Sequence, residues 1–311
     1  MGYSFSDSGI DGSELAFDTA KSSQNEVDWL IAHVNEQIEL LAFDDPDPAL
    51  LRRLVDSLAD SRQSTRFRLV EALSQIGESA TPFLLEGIAH SPRPIIRRAC
   101  CNALTNIGDP ASVSGLISAL STDSDIGVKS SAAGALAKVG EPAFDALVAL
   151  LASDSASESC KGHAAWAIAS MSDEVSNQLY DNRHHASPAV RTAMLGALAQ
   201  LAQKQMAMDL SKALKRTLGA ITDALSDDSS EVRIEAIATL ARLNDRKAYK
   251  PIAAGLKDSE ADVRKAAALA LARLGNLEAI EAIAPLEQDS DESVRRIATL
   301  AIGQLKEKQK T

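Results

Sequence analysis

The sequence predicts an all-α protein built as an α-solenoid, in which short helical hairpins stack along the chain. One helical pattern that starts with a basic residue recurs eight times in 311 residues. Successive copies lie about 31 residues apart, except for one gap of 42. Regular periods of this size are typical of arrays of helical units. The basic residues that mark the copies are Arg66, Arg97, Lys129, Lys161, Arg191, Arg233, Arg264 and Arg295.

Each copy contains two helices joined by a polar turn. After Gly108 the chain reads DPASVSGLISAL, and Pro110 suits a first helical turn because its missing N–H has no partner there. The segment STDSD breaks this helix, and a second helix is predicted from Val128 to Val139, ending at Gly140. Apolar residues of the first helix recur at spacings of three and four, at Val113, Leu116, Ile117 and Leu120.

The second helix of each copy has a regular apolar face. Its apolar positions lie one residue before the basic residue and three, seven and ten residues after it. The position three after is usually alanine, so neighbouring helices can approach closely. A single hairpin cannot bury such a face, whereas a stack of hairpins can.

An aspartate stands six residues before five of the basic residues. This spacing predicts a ladder of hydrogen bonds between Asp and Arg or Lys that ties the turns together along the stack. The aspartates are Asp60, Asp123, Asp227, Asp258 and Asp289. Paired helices, an aspartate in the turn and a Val-Arg start of the second helix resemble the HEAT-repeat family, although the period is shorter than usual.

Departures from the repeat divide the chain further. Residues 1–25 are rich in Ser, Asp and Gly and predict a mobile N-terminal extension. Residues 26–58 predict a helical capping unit that covers the first repeat. Repeats fill residues 59–202 and 219–311, and residues 203–218 account for the long gap. We expect a lengthened helix there that divides the array into two halves.

Composition limits the classes of partner. A net charge of −11 disfavours nucleic acid and anionic membrane surfaces. No run approaches eighteen apolar residues, so no membrane span is expected. The three cysteines show no framework spacing, which indicates a reducing compartment and a cytoplasmic protein.

The cysteines occupy repeat positions that predict their environments. Cys160 stands where other copies have valine, and Cys100 stands at the small core position, so both are predicted to be buried. Cys101 lies one residue further and is expected to be partly exposed, which makes it the thiol to test for reactivity.

One step of the array carries unusual side chains, which begin in CKGHAAWAIASM at residues 160–171. His163 and Trp166 fall outside the apolar stripe of their helix, and other copies have small residues at the position of Trp166. An exposed tryptophan favours a binding surface. The alternative is that Trp166 packs beneath a neighbouring loop.

The following segment, 173–188, has few apolar residues where other copies have an apolar first helix. It is either a functional loop or a tolerated polar one. Its candidate binding residues are Tyr180, Asp181, Arg183 and His184. Adjacent histidines rarely converge on one ion, so we expect no metal site and no intrinsic cofactor. A HEAT-repeat iron enzyme, deoxyhypusine hydroxylase, carries repeated His-Glu pairs, and this chain has none.

The segments RPIIRRACCNALTNIGDP and CKGHAAWAIASM resemble cyanobacterial phycobilisome proteins with HEAT-like repeats. These are the E/F-type phycobiliprotein lyases and related phycobilisome-degradation proteins, and the resemblance is strongest over residues 85–202. It implies that the chain attaches, transfers or removes a bilin, an open-chain tetrapyrrole, on the cysteine of a phycobiliprotein. The client supplies the thiol, so such a protein needs no covalent nucleophile, and a second lyase-type subunit often takes part.

The resemblance also implies what a binding site must offer. A bilin presents propionates, a flat ring system and pyrrole N–H groups. The residues that match these groups in type are His163, Trp166, Tyr180, Asp181, Arg183 and His184. We therefore expect an adaptor or chaperone of phycobiliproteins or their bilins, and the sequence leaves open whether it is an enzyme. The alternatives are a non-enzymatic scaffold for an unrelated protein, or an accessory protein that delivers a metal or an iron–sulfur cluster through its thiols.

Overall fold

The computed structural model describes residues 12–40, 46–244 and 246–308. Two compact units cover Met1–Val139 and Gly140–Thr311. The predicted all-α solenoid is confirmed, because each unit consists of helical hairpins packed side by side, and no strand occurs in the described ranges.

The first unit contains helices α1 to α7. Its helices are α1 (Gly12–Glu39), α2 (Pro48–Ser57), α3 (Gln63–Ile76), α4 (Thr81–His90), α5 (Pro94–Ile107), α6 (Val113–Thr122) and α7 (Ile126–Val139). Helices α2 and α3, α4 and α5, and α6 and α7 form hairpins, and α1 packs against α3. The second helices α3, α5 and α7 pack against one another in that order.

The second unit contains helices α8 to α17. These are α8 (Glu141–Ala152), α9 (Glu158–Ser170), α10 (Ser176–Asn182), α11 (Pro188–Ala207), α12 (Ser211–Asp223), α13 (Ser230–Leu243), α14 (Tyr249–Ala254), α15 (Ala261–Leu274), α16 (Ala279–Ile283) and α17 (Glu292–Lys308). Each even-numbered helix is the first of a hairpin, and α9, α11, α13, α15 and α17 pack in sequence as the second helices.

The core follows the predicted apolar stripe. In α7 the residues one before Lys129 and three, seven and ten after it are Val128, Ala132, Leu136 and Val139, and all four are buried. The helix ends where Gly140 takes a φ of 77°, a backbone region that glycine occupies without steric cost. Burial of these stripes between successive hairpins holds each unit together.

The predicted Asp–Arg ladder is confirmed, but its carboxylate pairing runs between hairpins. Four of the five aspartates are bound by the arginine of the preceding hairpin, whereas the carboxylate of Asp60 pairs with Arg62 in its own turn. Arg97 donates from Nε and Nη2 to the two carboxylate oxygens of Asp123 at 2.7 and 2.8 Å. Such paired, charge-assisted bonds are among the stronger hydrogen bonds in proteins. The other pairs are Arg191–Asp227, Arg233–Asp258 and Arg264–Asp289.

The arginine six positions later binds the same turn through the backbone. Arg233 donates from Nη1 to the carbonyl oxygen of Asp227 at 2.8 Å. The Asp227 carboxylate also accepts the N–H of Ser229 at 2.9 Å. One aspartate therefore closes its own turn while it binds an arginine of the hairpin before it.

The structure changes the expected division of the chain. Helix α1 begins at Gly12, so much of the segment expected to be a mobile extension is helical, and residues 1–11 lie outside the described residues. Helix α11 has 20 residues and is lengthened into the segment 203–218 as expected, but it ends at Ala207, and the rest of the segment belongs to a turn and to α12, which begins at Ser211. Asp209, in the turn between them, has a φ of 53°. The two compact units divide between Val139 and Gly140, and not at 203–218.

Candidate functional site

The Arg–Asp ladder is interrupted inside the second unit. Lys161 and His185 stand at the positions that hold arginine and aspartate in the regular pairs. His185 still closes its turn, because its Nδ1 accepts the N–H of Ser187 at 3.0 Å, as Asp227 does for Ser229. It does not supply a carboxylate, and Lys161 is paired instead with the exposed Glu158 at 3.9 Å. The hairpins that carry α9 and α11 therefore lack the charge-assisted link found in the regular pairs.

Trp166 lies on the outer face of α9 at this step, and 52% of its surface is exposed. Gly162 precedes it by one helical turn, and Gly196 occupies the equivalent repeat position on the neighbouring helix α11. A Cβ atom built on either glycine would meet no described atom within 4 Å. We call Gly162, Trp166 and Gly196 the tryptophan platform.

The glycines of the platform are not explained by packing inside the protein. Glycine inside a helix costs about 0.5–1 kcal/mol relative to alanine. Gly87 shows the other case, since a Cβ there would lie 2.8 Å from Val55 and 2.9 Å from Cys100. Gly162 and Gly196 instead leave open space around the helix surface that carries Trp166, which gives a flat ligand or a partner side chain room to approach.

His163 lies on the same helix as the platform and is partly exposed. Its Nδ1–H donates to the carbonyl oxygen of Ser159 at 2.7 Å, which fixes the ring against the first turn of α9. The second ring nitrogen, Nε2, is then the atom that can bind another group.

Tyr180 is buried, with 5% of its surface exposed. Its hydroxyl lies 2.7 Å from the hydroxyl of Thr217, which donates to Oε1 of Gln205 at 2.7 Å. The guanidinium of Arg216 lies 3.8 Å from the centre of the tyrosine ring. The expected role of Tyr180 in presenting its ring to a ligand is therefore corrected. The residue anchors α10 to α12, within the segment that lengthens the repeat.

Arg183 and His184 line a cleft of about 350 Å³ between the α10–α11 turn and the α12–α13 turn. Arg183 donates from Nη1 to the carbonyl oxygen of Tyr180 at 2.6 Å. Its Nε is buried and has no hydrogen-bond partner in the described part of the chain. The ladder pair Arg191–Asp227 and the carboxylate of Asp228 also line the cleft. A ligand with a carboxylate and N–H donors would complement this mixture of charges.

The six predicted site residues therefore fall into separate places. His163 and Trp166 share α9, whereas Arg183 and His184 share the cleft. Asp181 is exposed on α10, and Tyr180 is buried. The sequence has small residues at the repeat position of Trp166, including Gly196, but its pattern predicts no role for Gly162 or Gly196. Glycine alone could not mark the site, because Gly134, Gly219 and Gly303 are equally open helix glycines, and only Gly162 and Gly196 accompany an exposed tryptophan.

All three cysteines are buried. The predictions for Cys100 and Cys160 are confirmed, and the expectation that Cys101 is partly exposed is wrong. Burial is the main cause that raises the pKa of Cys101 to about 12, and it also raises the pKa of Cys100. Cys101 turns inward because α5 packs against both α3 and α7, so its outward-looking position in one hairpin is covered by the next.

Native protein is expected to resist thiol labelling. With the thiols buried, and with high pKa values for Cys100 and Cys101, labelling by a neutral disulfide reagent at pH 8 should be at least about a hundredfold slower than in urea-unfolded protein. Labelling followed by absorbance, with Cys101→Ala as the matched variant, checks this. Rapid native labelling that disappears in Cys101→Ala would contradict it.

The described residues bring no group of three or more His, Cys, Asp or Glu side chains close enough to hold a metal ion. Among the described residues, no helix is both long enough and apolar enough to cross a membrane.

The family model for HEAT repeats matches residues 81–169 and 218–303, which together exceed half of the chain. A bilin biosynthesis protein, MpeU of Synechococcus sp. (strain WH8020), is 29% identical over 197 residues. This match covers 63% of the chain and 64% of MpeU, so it spans less than two thirds of that protein's length.

Two solved structures illustrate more remote likeness. Human deoxyhypusine hydroxylase is 17% identical with a TM-score of 0.35, over 83% of this chain and 96% of its own. Computationally designed armadillo repeat proteins for modular peptide recognition are 20% identical with a TM-score of 0.34, over 82% of this chain and 99% of their own. Likeness at this level says nothing about function.

Proposed function

The chain belongs to the HEAT-repeat family, and on that basis we propose that it is a protein-binding adaptor or chaperone that handles phycobiliproteins or their bilin chromophore. Similarity to a protein named for bilin biosynthesis supports this proposal. The observation that carries it is the tryptophan platform, an exposed indole beside two helix-interior glycines that internal packing does not require. Stacked rigid helices are suited to hold such a surface in place.

The platform and the cleft suit different parts of a bilin. Trp166 offers an apolar π surface on which a flat ring system can stack. Arg183 lines the cleft, where its guanidinium can bind a propionate carboxylate, and its buried Nε–H has no partner among the described residues. His184 lies beside Arg183, and the exposed Asp181 can accept from pyrrole N–H groups.

The role of the chain in this proposal is to hold and orient the bilin against its client. The client's cysteine supplies the nucleophile for attachment, so lyase-type activity would not require a reactive thiol here. Orientation of two reactants can itself accelerate their reaction. A phycobiliprotein subunit is the proposed partner, with a second lyase-type subunit as a further one. Because the thiols are buried, they offer little support for metal or cluster delivery.

Titration of the purified chain with biliverdin tests the bilin part of the proposal. Binding should induce visible circular dichroism, and Trp166→Ala should weaken affinity by at least about tenfold, as the loss of a buried aromatic anchor does. The matched control is Trp29→Ala, which removes the second tryptophan, 58% exposed, and should leave biliverdin affinity unchanged.

The ester form of the ligand tests the cleft. Biliverdin dimethyl ester lacks the two carboxylate charges, so it should bind at least about tenfold more weakly and should not respond to Arg183→Ala. A purified phycobiliprotein subunit should also bind, with Trp166→Ala reducing its affinity. If neither biliverdin nor the subunit binds, the proposal is refuted. If the subunit alone binds, the bilin part is refuted and protein handling stands.

A further inference from the structure

A row of exposed apolar residues crosses the second helices of the last three hairpins. Ala238 on α13, Leu269 on α15 and Leu300 on α17 each lie five residues after the basic residue of their copy. Leu269 is 40% exposed and Leu300 is 51% exposed. Since α13, α15 and α17 pack in that order, the three side chains follow one another across a continuous face. We call them the C-terminal row.

Basic residues flank the C-terminal row on both sides. Lys265 and Arg296 lie one helical turn before it, and Arg242 and Arg273 lie one turn after it. Lys265 is paired with Asp262, and Arg242 with Glu235. Within the described residues, Arg273 and Arg296 have no ion-pair partner. This part of the face is therefore apolar at its centre and basic at its edges.

The same face is uncharged on the two preceding second helices of this unit. On α9 and α11 the flanking positions hold Gly162, Ser170, Thr192 and Gln200. Within the second unit, the basic edges are thus confined to the last three hairpins, in a chain whose net charge is −11. Charge complementarity then selects a partner that is acidic and carries apolar side chains.

Helix α1 of this chain has that chemistry. Residues 1–47 contain eleven acidic residues and one basic residue, so they carry nearly all of the net negative charge. Trp29 is 58% exposed on α1, and Leu40 at its end is 69% exposed. Glu36 and Glu39 are exposed beside them and have no ion-pair partner among the residues described.

Other acidic residues of α1 hold it to its own unit and leave this face outward. Asp28 accepts from Nη1 of Arg62 at 2.7 Å, and Glu26 is paired with Arg53. Leu30, Ile31 and Val34 are buried on the inner side. The outward face of α1 is therefore an acidic, apolar helix surface with no partner described.

The two surfaces also match in length. Trp29 and Leu40 lie about 16 Å apart along the helix axis, at about 1.5 Å per residue. Packed helices are about 8–10 Å apart, so the row from Ala238 to Leu300 spans about 16–20 Å. A helix laid across α13, α15 and α17 can therefore place one apolar side chain at each end of the row.

We propose that the C-terminal row is the docking surface for helix α1 of a second copy of this chain. The donor and acceptor surfaces differ, so the contact is of the head-to-tail kind and leaves one of each surface unoccupied in every dimer. Association should rise with concentration and weaken with salt, because it depends on exposed charges. This inference does not depend on the proposed function.

Analytical ultracentrifugation of two charge-reversal variants tests the proposal. Arg273→Glu/Arg296→Glu reverses the row, and Glu36→Arg/Glu39→Arg reverses α1. Each variant alone should associate at least about tenfold more weakly than the wild type. Mixed together they should form a 1:1 dimer that grows no further, because only one compatible pair of surfaces remains. All four changes in one chain should restore association.

Controls separate this contact from misfolding and from bilin binding. All the changed residues are exposed, so circular dichroism and thermal melting should match the wild type. Trp29→Ala should weaken association and leave biliverdin binding intact. Trp166→Ala should weaken biliverdin binding and leave association intact. A wild type that stays monomeric at its highest soluble concentration would overturn the proposal. The proposal would also be overturned if the two charge-reversal variants did not associate when mixed. It would be overturned too if the row variant self-associated like the wild type and lost only its binding to a phycobiliprotein subunit.

Discussion

Asp258→Asn is expected to lower the free energy of unfolding by about 2 kcal/mol, the range for a charge-assisted hydrogen bond whose partner stays buried. The Asp258 carboxylate accepts from Nε and Nη2 of Arg233, each at 2.8 Å, and from the N–H of Glu260 at 2.9 Å. The side chains of Arg233 and Asp258 are only 12% and 14% exposed. Asparagine keeps the shape but removes the charge, so Arg233 remains buried without its counter-ion.

Urea unfolding followed by circular dichroism measures this loss. Arg233→Lys should lose less than Arg233→Ala, since lysine keeps the charge but not the paired geometry. The control is Asp181→Asn, an exposed carboxylate of the same unit, which should change the unfolding free energy by less than about 0.5 kcal/mol. Equal unfolding midpoints for Asp258→Asn and the wild type would contradict a stabilising ladder.

The ladder should also make stability depend on pH in one direction. Hydrogen bonds from Arg97 lower the pKa of Asp123, and those from Arg264 lower the pKa of Asp289. Burial raises the pKa of Asp258, but hydrogen bonds from Arg233 and from the N–H of Glu260 lower it by more, so the net shift is downward. Each carboxylate thus stabilises the fold fully above its unfolded pKa of about 3.9 and loses this effect as pH falls through its folded value. Asp258→Asn should therefore show a shallower loss of stability below about pH 4.

The regular parts of the fold could be predicted because every copy of the repeat shows the same spacing of apolar and basic residues. The positions of Val128, Ala132 and Leu136 relative to Lys129 define a helix face, and burial of that face follows from stacking. The pairing of side chains within the Arg–Asp ladder was harder to predict. Asp227 lies six residues before Arg233 and 36 after Arg191, and both arginines bind its turn. Spacing alone could not assign the carboxylate to Arg191.

The irregular step could be located from the sequence, but the packing of its side chains could not be predicted. Tyr180 lies in a segment without repeat register, so nothing in the pattern places it against Thr217 or beneath Arg216. The turn at Asp209 interrupts a stretch of good helix formers. Its left-handed φ occurs at an aspartate, so no glycine in the sequence indicates the turn. The burial of Cys101 could not be predicted because it depends on the neighbouring hairpins and not on its own helix.

Gly162→Ala and Gly196→Ala are each expected to stabilise the fold by about 0.5–1 kcal/mol. A Cβ at either position would meet no described atom within 4 Å, so alanine removes backbone freedom from the unfolded chain without creating a clash. The combined variant should gain about 1–2 kcal/mol if the two effects add. Urea unfolding measures the gain.

The same double variant should weaken biliverdin or client binding by about tenfold, because its methyl groups occupy the space beside Trp166 that the platform leaves open. The control is Gly134→Ala, at the equivalent repeat position of α7 and with equally open space around its Cβ. It should stabilise the fold and leave binding unchanged. A double variant that is stabilised and binds as the wild type would show that a partner does not use the bare backbone at this step. The cost of these glycines to the helices would then need a different explanation from partner binding, because internal packing does not supply one.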